Sequence, residues 1–158
     1  MSYLLPEMPS GVSDAAAWQA TVDEVRAFCG WHIAPEVTEI VTLDGPGAPV
    51  VVLPTLRLVD LVSITDDGSA VVDPEWSRSG MVRRYCWTHK FRGIVAEITH
   101  GYPSWPEELL GVMAEMAKSA STAGVKQVSS GSHQVTFESS MRPAQREVLG
   151  RYQLPFVA

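Results

Sequence analysis

The chain has 158 residues, 46% of them hydrophobic and 19% charged, with a formal net charge of −6 at pH 7. That length fits one domain able to bury its own core, and the composition excludes a wholly disordered chain. The acidic balance disfavours a protein whose affinity comes from neutralising phosphates, and apolar runs such as Val50-Val51-Val52-Leu53 fall far short of the roughly 18 residues of a membrane-spanning helix.

Met1 to Glu7 lacks the basic and apolar regions of a secretory signal, so the chain is expected to fold where it is synthesised, in a reducing cytosol. Residues 1–12, with Pro6, Pro9 and Gly11, read as an extended N-terminal arm. A helix is expected over 13–30, with Ser13 as N-cap, Trp18, Val22, Val25 and Cys29 as its apolar stripe and Gly30 as its stop. From Val37 to about His100, short β-branched runs separated by turn residues predict a β region. Its strands are expected at 37–43, 50–53 and 58–65, followed by a hairpin of 81–87 against 92–99 around Thr88-His89-Lys90. In that hairpin Ile94, Ala96 and Ile98 alternate with Val95, Glu97 and Thr99, which predicts one buried face.

The main helix is expected over 104–123, because Ser104-Trp105-Pro106-Glu107 has the form of a capping box with proline in the first turn. Leu109, Met113, Met116 and Ala120 would form its core face. A loop and short strand around Val135 and Phe137 fill 124–142, and 143–158 reads as a short helix closed by Gly150 and then a tail. The fold class is α+β: a small helical domain with an inserted antiparallel β region and extended N- and C-terminal arms, within one domain spanning 1–158.

Motifs for chemistry are missing from the sequence: no phosphate-cradling glycine loop, no nucleophile elbow and no zinc-protease signature. No catalytic, cofactor-binding or metal residue is assigned, and the chain is not expected to be an enzyme. Cys29-x-x-His32 and Cys86-x-x-His89 contain the ligand types of a tetrahedral zinc site. Buried free thiols are the preferred reading, since Cys29 lies on the helix stripe and Cys86 falls within an expected strand. Three features suit an interface. Arg78, Arg83, Arg84, Lys90 and Arg92 concentrate positive charge in the hairpin region, either as a solvated edge or as a docking surface for an acidic partner. Tyr152, Leu154, Pro155 and Phe156 make an apolar tail, and Leu4 and Leu5 an apolar start; each either folds back or inserts into a neighbour.

Several phrases in sequence carry a family likeness: Cys29-Gly30-Trp31-His32-Ile33-Ala34-Pro35, Leu53-Pro54-Thr55, Thr99-His100-Gly101-Tyr102-Pro103, Pro106-Glu107-Glu108-Leu109 and Tyr152-Gln153-Leu154-Pro155. Together they resemble the head-to-tail adaptor (head completion or connector) proteins of siphophages infecting actinobacteria, over most of the chain. The resemblance implies a virion protein of the neck, made in the host cytoplasm, that forms a ring homo-oligomer, usually dodecameric. The ring would bind the portal on one side and a stopper or tail-proximal connector on the other, and DNA would pass through it without sequence-specific binding. It implies no cofactor, no catalysis and no membrane partner. It also implies that Trp31 and Ile33 pack in the core, that His32 is hydrogen-bonded, and that Tyr102 staples the start of the main helix. The alternatives are another neck joint, a stopper or tail terminator, and a small metal-stabilised binding module resting on the two Cys-x-x-His pairs.

Overall fold

The computed structural model of the chain describes residues 5–123 and 141–155. These fall into two compact units: a helical unit built from the chain ends, up to Gly30 and from Trp105 to Pro155, and a β unit built from the segment between them, Trp31 to Ser104.

In the helical unit, α1 spans Ala15–Cys29, α2 Glu107–Ala123 and α3 Pro143–Gly150. The cap of α1 is Asp14, one residue beyond the expected Ser13. Its Oδ1 accepts hydrogen bonds from the amides of Ala16 (3.0 Å) and Ala17 (3.1 Å), which satisfies two of the unpaired donors of the first turn. The expected stripe of Trp18, Val22, Val25 and Cys29 is buried. Gly30 ends the helix in the left-handed conformation at φ 79°, with its amide on the Arg26 carbonyl. The second helix starts later than its Ser-x-x-Glu signal suggests. Pro106 occupies the cap position, its carbonyl accepting from the Leu109 and Leu110 amides, so Ser104 stays outside the helix. Glu107 and Glu108 then sit in the first turn, where the helix dipole favours acidic side chains. Its buried face is Leu109, Met113, Met116 and Ala117, whereas Ala120 is exposed.

The β unit holds seven antiparallel strands in two sheets. The first sheet has the order β1 (Val37–Leu43), β7 (Ile94–His100), β3 (Leu58–Asp66), β4 (Ser69–Ala70); the second has the order β2 (Val50–Val52), β6 (Met81–Arg83), β5 (Glu75–Trp76). β7 is central, with Val37 opposite His100 on one side and Leu58 opposite His100 on the other. Its alternation is as expected, Ile94, Ala96 and Ile98 being fully buried. Both sheets supply one core: Val51 and Val82 from the second, with Leu53 just past β2, pack with Leu58, Ile64, Ile94, Ala96 and Ile98 from the first, around Trp87.

The expected hairpin of 81–87 against 92–99 does not form. β6 pairs with β2 and β5, while β7 pairs with β1 and β3. The strand ends at Arg83 because the chain must turn Trp87 into the shared core, where its indole N–H donates to the Val82 carbonyl at 3.3 Å. No helix among the described residues is long and apolar enough to cross a membrane.

Candidate functional site

The β unit presents a loop, residues 84–93, that connects its two sheets and carries most of the basic residues singled out above. Its backbone is fixed from below by the Asp44–Pro49 segment. Gly45 N–H donates to the Lys90 carbonyl at 2.8 Å, Gly47 N–H to Thr88 O at 2.9 Å, Trp87 N–H to Ala48 O at 3.1 Å and Arg84 N–H to Pro49 O at 2.9 Å. The close approach needs glycine: a Cβ at Gly45 would lie 2.2 Å from the Thr88 carbonyl oxygen. Two carboxylates complete the frame. Asp66, at the end of β3, accepts from Arg84 Nη1 at 2.6 Å and from the Thr88 amide at 3.2 Å, and Asp44 accepts from the Arg92 amide at 2.7 Å.

The concentration of positive charge seen in the sequence is therefore largely balanced in space. Arg84 pairs with Asp66, Lys90 with Asp67 at 2.5 Å, and Arg83 with Glu75 at 3.7 Å. The last two pairs are more than half exposed and contribute little, in the range of zero to about 1 kcal/mol. The loop's apolar content was not anticipated. Tyr85 is 97% exposed and Phe91 86% exposed on this otherwise well-bonded loop.

At the chain ends, Leu5 is exposed, while the following residue ties the arm down: the Pro6 carbonyl accepts from Trp18 Nε1 at 3.0 Å. The tail from Arg151 to Pro155 lies within the helical unit. Tyr152 donates its hydroxyl hydrogen to Glu108, Arg151 lies 3.4 Å from the same carboxylate, and the Leu154 amide donates to the Cys29 carbonyl at 2.9 Å. Tyr152 and Leu154 are half-buried there and Pro155 is exposed. Leu4, Phe156, Val157 and the strand expected around Val135 and Phe137 lie outside the described residues.

The cysteines and histidines have other occupations. Cys29 is buried with its Sγ 3.8 Å from the Leu149 carbonyl, and burial pushes its thiol up to about 11. Cys86 is exposed and lies beyond the end of β6, which corrects the expectation of a buried strand thiol: the chain has already left the sheet to deliver Trp87. His32 Nε2 donates to the Pro35 carbonyl at 2.5 Å. Among the described residues, no group of three or more His, Cys, Asp or Glu is arranged to hold a metal ion.

Trp31 and Ile33 are buried. They adjoin a polar cluster that the sequence did not announce: His100, 1% exposed, bonds Glu39 at 2.9 Å and meets the His32 ring edge to face at 5.9 Å. Burial holds His100 below the ordinary histidine range, although the hydrogen bond and charge of Glu39 pull the other way. The imidazole is thus neutral at pH 7, donating from Nε2 to the carboxylate, a structural bond. The Tyr102 ring lies 6.3 Å from Trp31, with the Arg57 guanidinium 4.8 Å over its face.

No protein-family model matches this sequence, and no curated protein matches it. Solved structures do share the fold. A chain in the neck of a native gene transfer agent (GTA) particle, computed with C12 symmetry, superposes with a TM-score of 0.56 at 13% identity, over 92% of this chain and 85% of that one. A chain of the virion of the native GTA particle gives 0.56 at 14% identity, over 94% and 81%. A chain in the neck of the empty particle, computed with C6 symmetry, gives 0.53 at 11% identity, over 90% and 78%. The likeness spans both units, so the helical unit with its inserted β unit is a fold these chains have in common.

Proposed function

We propose that this chain is a head-to-tail adaptor, a non-enzymatic structural protein that forms a ring at the neck of a tailed particle. The ring joins the portal to the next neck or tail component, and DNA passes through it. The observation that carries this reading is the fold likeness over 92% of the chain to a component of a particle neck with C12 symmetry, and that symmetry favours a dodecamer.

Features of the chain itself support the reading. A ring needs contacts that propagate from one copy to the next, and a preorganised loop bearing two exposed aromatics is suited to such a contact. The net charge of −6 suits a channel wall from which a phosphate backbone is repelled. Two buried ionisable groups have structural tasks: Cys29 is held in its thiol form and His100 is committed to Glu39.

Electron microscopy of particles and of tailless heads, with an antibody against this chain, tests the proposal. Label at the neck is the expected result. Absence of the chain from the particle overturns it.

A further inference from the structure

We propose that Arg57 and Arg78 form a binding site for a carboxylate, and that an acidic side chain of a neighbouring copy of this chain fills it. The choice of a second copy as the occupant rests on the ring reading above; the site itself comes from the geometry of the β unit.

The two arginines are far apart in sequence and meet because the turn between β5 and β6 docks on the segment that joins β2 to β3. The Leu58 amide donates to the Arg78 carbonyl at 2.7 Å and the Leu53 amide to Gly80 O at 2.8 Å, while the Gly80 amide closes the turn on Ser77 O at 3.0 Å. Glycine is required there: at φ 82°, a Cβ on Gly80 would lie 2.7 Å from the Thr55 carbonyl oxygen. Arg57 is pinned as firmly, its amide donating to Thr55 Oγ1 at 3.0 Å and its carbonyl accepting from the Gly101 amide at 2.9 Å. Both arginines then line one surface pocket of about 150 Å³ with Leu58 and Val59. A cavity of about 150 Å³ accepts a benzene ring, so the carboxyl end of an aspartate or glutamate fits.

The chemistry of the pocket suits an oxyanion. The Arg57 guanidinium lies 4.8 Å over the Tyr102 ring, and its Nε is closed off from solvent with no hydrogen-bond partner among the described residues. A guanidinium restrained in this way loses little freedom on binding, and its fork matches the two oxygens of a carboxylate. Arg78 is exposed. Among the described residues neither arginine forms an ion pair, whereas Arg83, Arg84 and Lys90 of the same unit all do. Arg92, the remaining basic residue of the unit without an ion pair, stands apart on the 84–93 loop.

Charge selects the partner. A nucleic-acid backbone calls for a row of uncompensated basic groups, and one two-arginine pocket on a chain of net charge −6 does not supply it. Carboxylates are what this chain has in surplus. In the β unit alone Glu36, Asp60 and Asp73 are exposed and make no ion pair among the described residues. Acidic copies set side by side repel one another, and an arginine pair that accepts one carboxylate across the contact offsets part of that repulsion. Each copy offers its pocket on one surface and a carboxylate on another, so the same contact repeats from copy to copy around a ring.

The test uses Arg78→Lys in the full chain, which keeps the charge and supplies an amine, prepared as a mixture of isotopically light and heavy copies. A water-soluble carbodiimide, which joins an amine to a carboxylate in contact with it with net loss of water, is applied to the purified protein and to assembled particles. The expected product joins position 78 of one copy to an aspartate or glutamate of another. Adding Arg57→Gln should lower that yield about tenfold or more, with circular dichroism showing the fold intact. Raising NaCl to about 1 M should lower it as well, and this arm needs no second substitution. Links from position 78 confined to one copy or made to another protein, a yield unaltered by Arg57→Gln in folded protein or by salt, or no link from position 78 in either preparation would each overturn the inference. The neck reading is scored separately by antibody position. Label at the neck with position 78 joined to another protein defeats only the inference, and links between copies in a chain missing from particles defeat only the neck reading.

Discussion

Replacing Gly45 with alanine should loosen the Tyr85–Phe91 loop while leaving both units folded. The added Cβ would stand 2.2 Å from the Thr88 carbonyl oxygen and 2.7 Å from its carbonyl carbon, so the obstacle is backbone and the two segments must separate. Separation breaks the bonds from Gly45 N–H to Lys90 O and from Gly47 N–H to Thr88 O, 2.8 and 2.9 Å long. At about 0.5–1.5 kcal/mol net for each bond, the local loss is about 1–3 kcal/mol. Amide hydrogen exchange reads this directly: positions 45 and 47 should exchange about 5- to 150-fold faster, with the β7 core amides unchanged. Gly68→Ala is the control. It has a positive φ, 78°, unlike Gly45, but a Cβ there meets nothing within 4 Å, so it should cost only the left-handed backbone penalty of roughly 1–2 kcal/mol and leave positions 45 and 47 as they were. Unaltered exchange at 45 and 47 in Gly45→Ala would refute the claim that the loop is held rigid by this packing.

Other outcomes follow from the same contacts. Burial depresses His100, so the folded chain binds its proton less readily than the unfolded chain, whose histidine titrates near 6.5. The stability this contributes is complete above that pH and declines as pH falls below it toward the folded value; denaturant midpoints between pH 7.5 and 5 should fall, and His100→Gln, which keeps a donor for Glu39, should flatten that decline. Thiol labelling should separate the two cysteines: exposed Cys86 reacts at once, whereas Cys29, pushed from 9.0 to about 11 and buried, should react at least about 100-fold more slowly until the helical unit opens. Leu149→Ala removes a fully buried side chain from α3 and should cost about 2–5 kcal/mol in urea unfolding.

The sequence carried the elements whose signals are local. The spacing of Trp18, Val22, Val25 and Cys29 marked α1, and the left-handed Gly30 is the stop that glycine suggested. The alternation of Ile94, Ala96 and Ile98 marked the buried face of β7 in the same way. Strand pairing was not local. β6 and β7 look like hairpin partners because they are neighbours in sequence, but Trp87 requires a buried site between them, and the chain departs at Arg83 to reach it. The start of α2 was misplaced because two signals competed and Pro106, not Ser104, holds the cap position. The candidate site was half legible. Its basic residues stood out, but the acidic partners that balance them come from β3, β5 and the turn after β3, and only folding brings Asp66, Asp67 and Glu75 to them. Tyr85 and Phe91 gave no sign, since an aromatic residue in a β region ordinarily reads as core. Their exposure depends on the Asp44–Pro49 segment lying beneath the loop.

A reconstruction of the particle neck by cryo-electron microscopy tests the central claim most directly. The account predicts a ring of copies of this chain between portal and tail, twelve if the symmetry follows that of the related neck, with the helical unit and the β unit each fitting its density. A neck whose density at that level is fully explained by other proteins would contradict it.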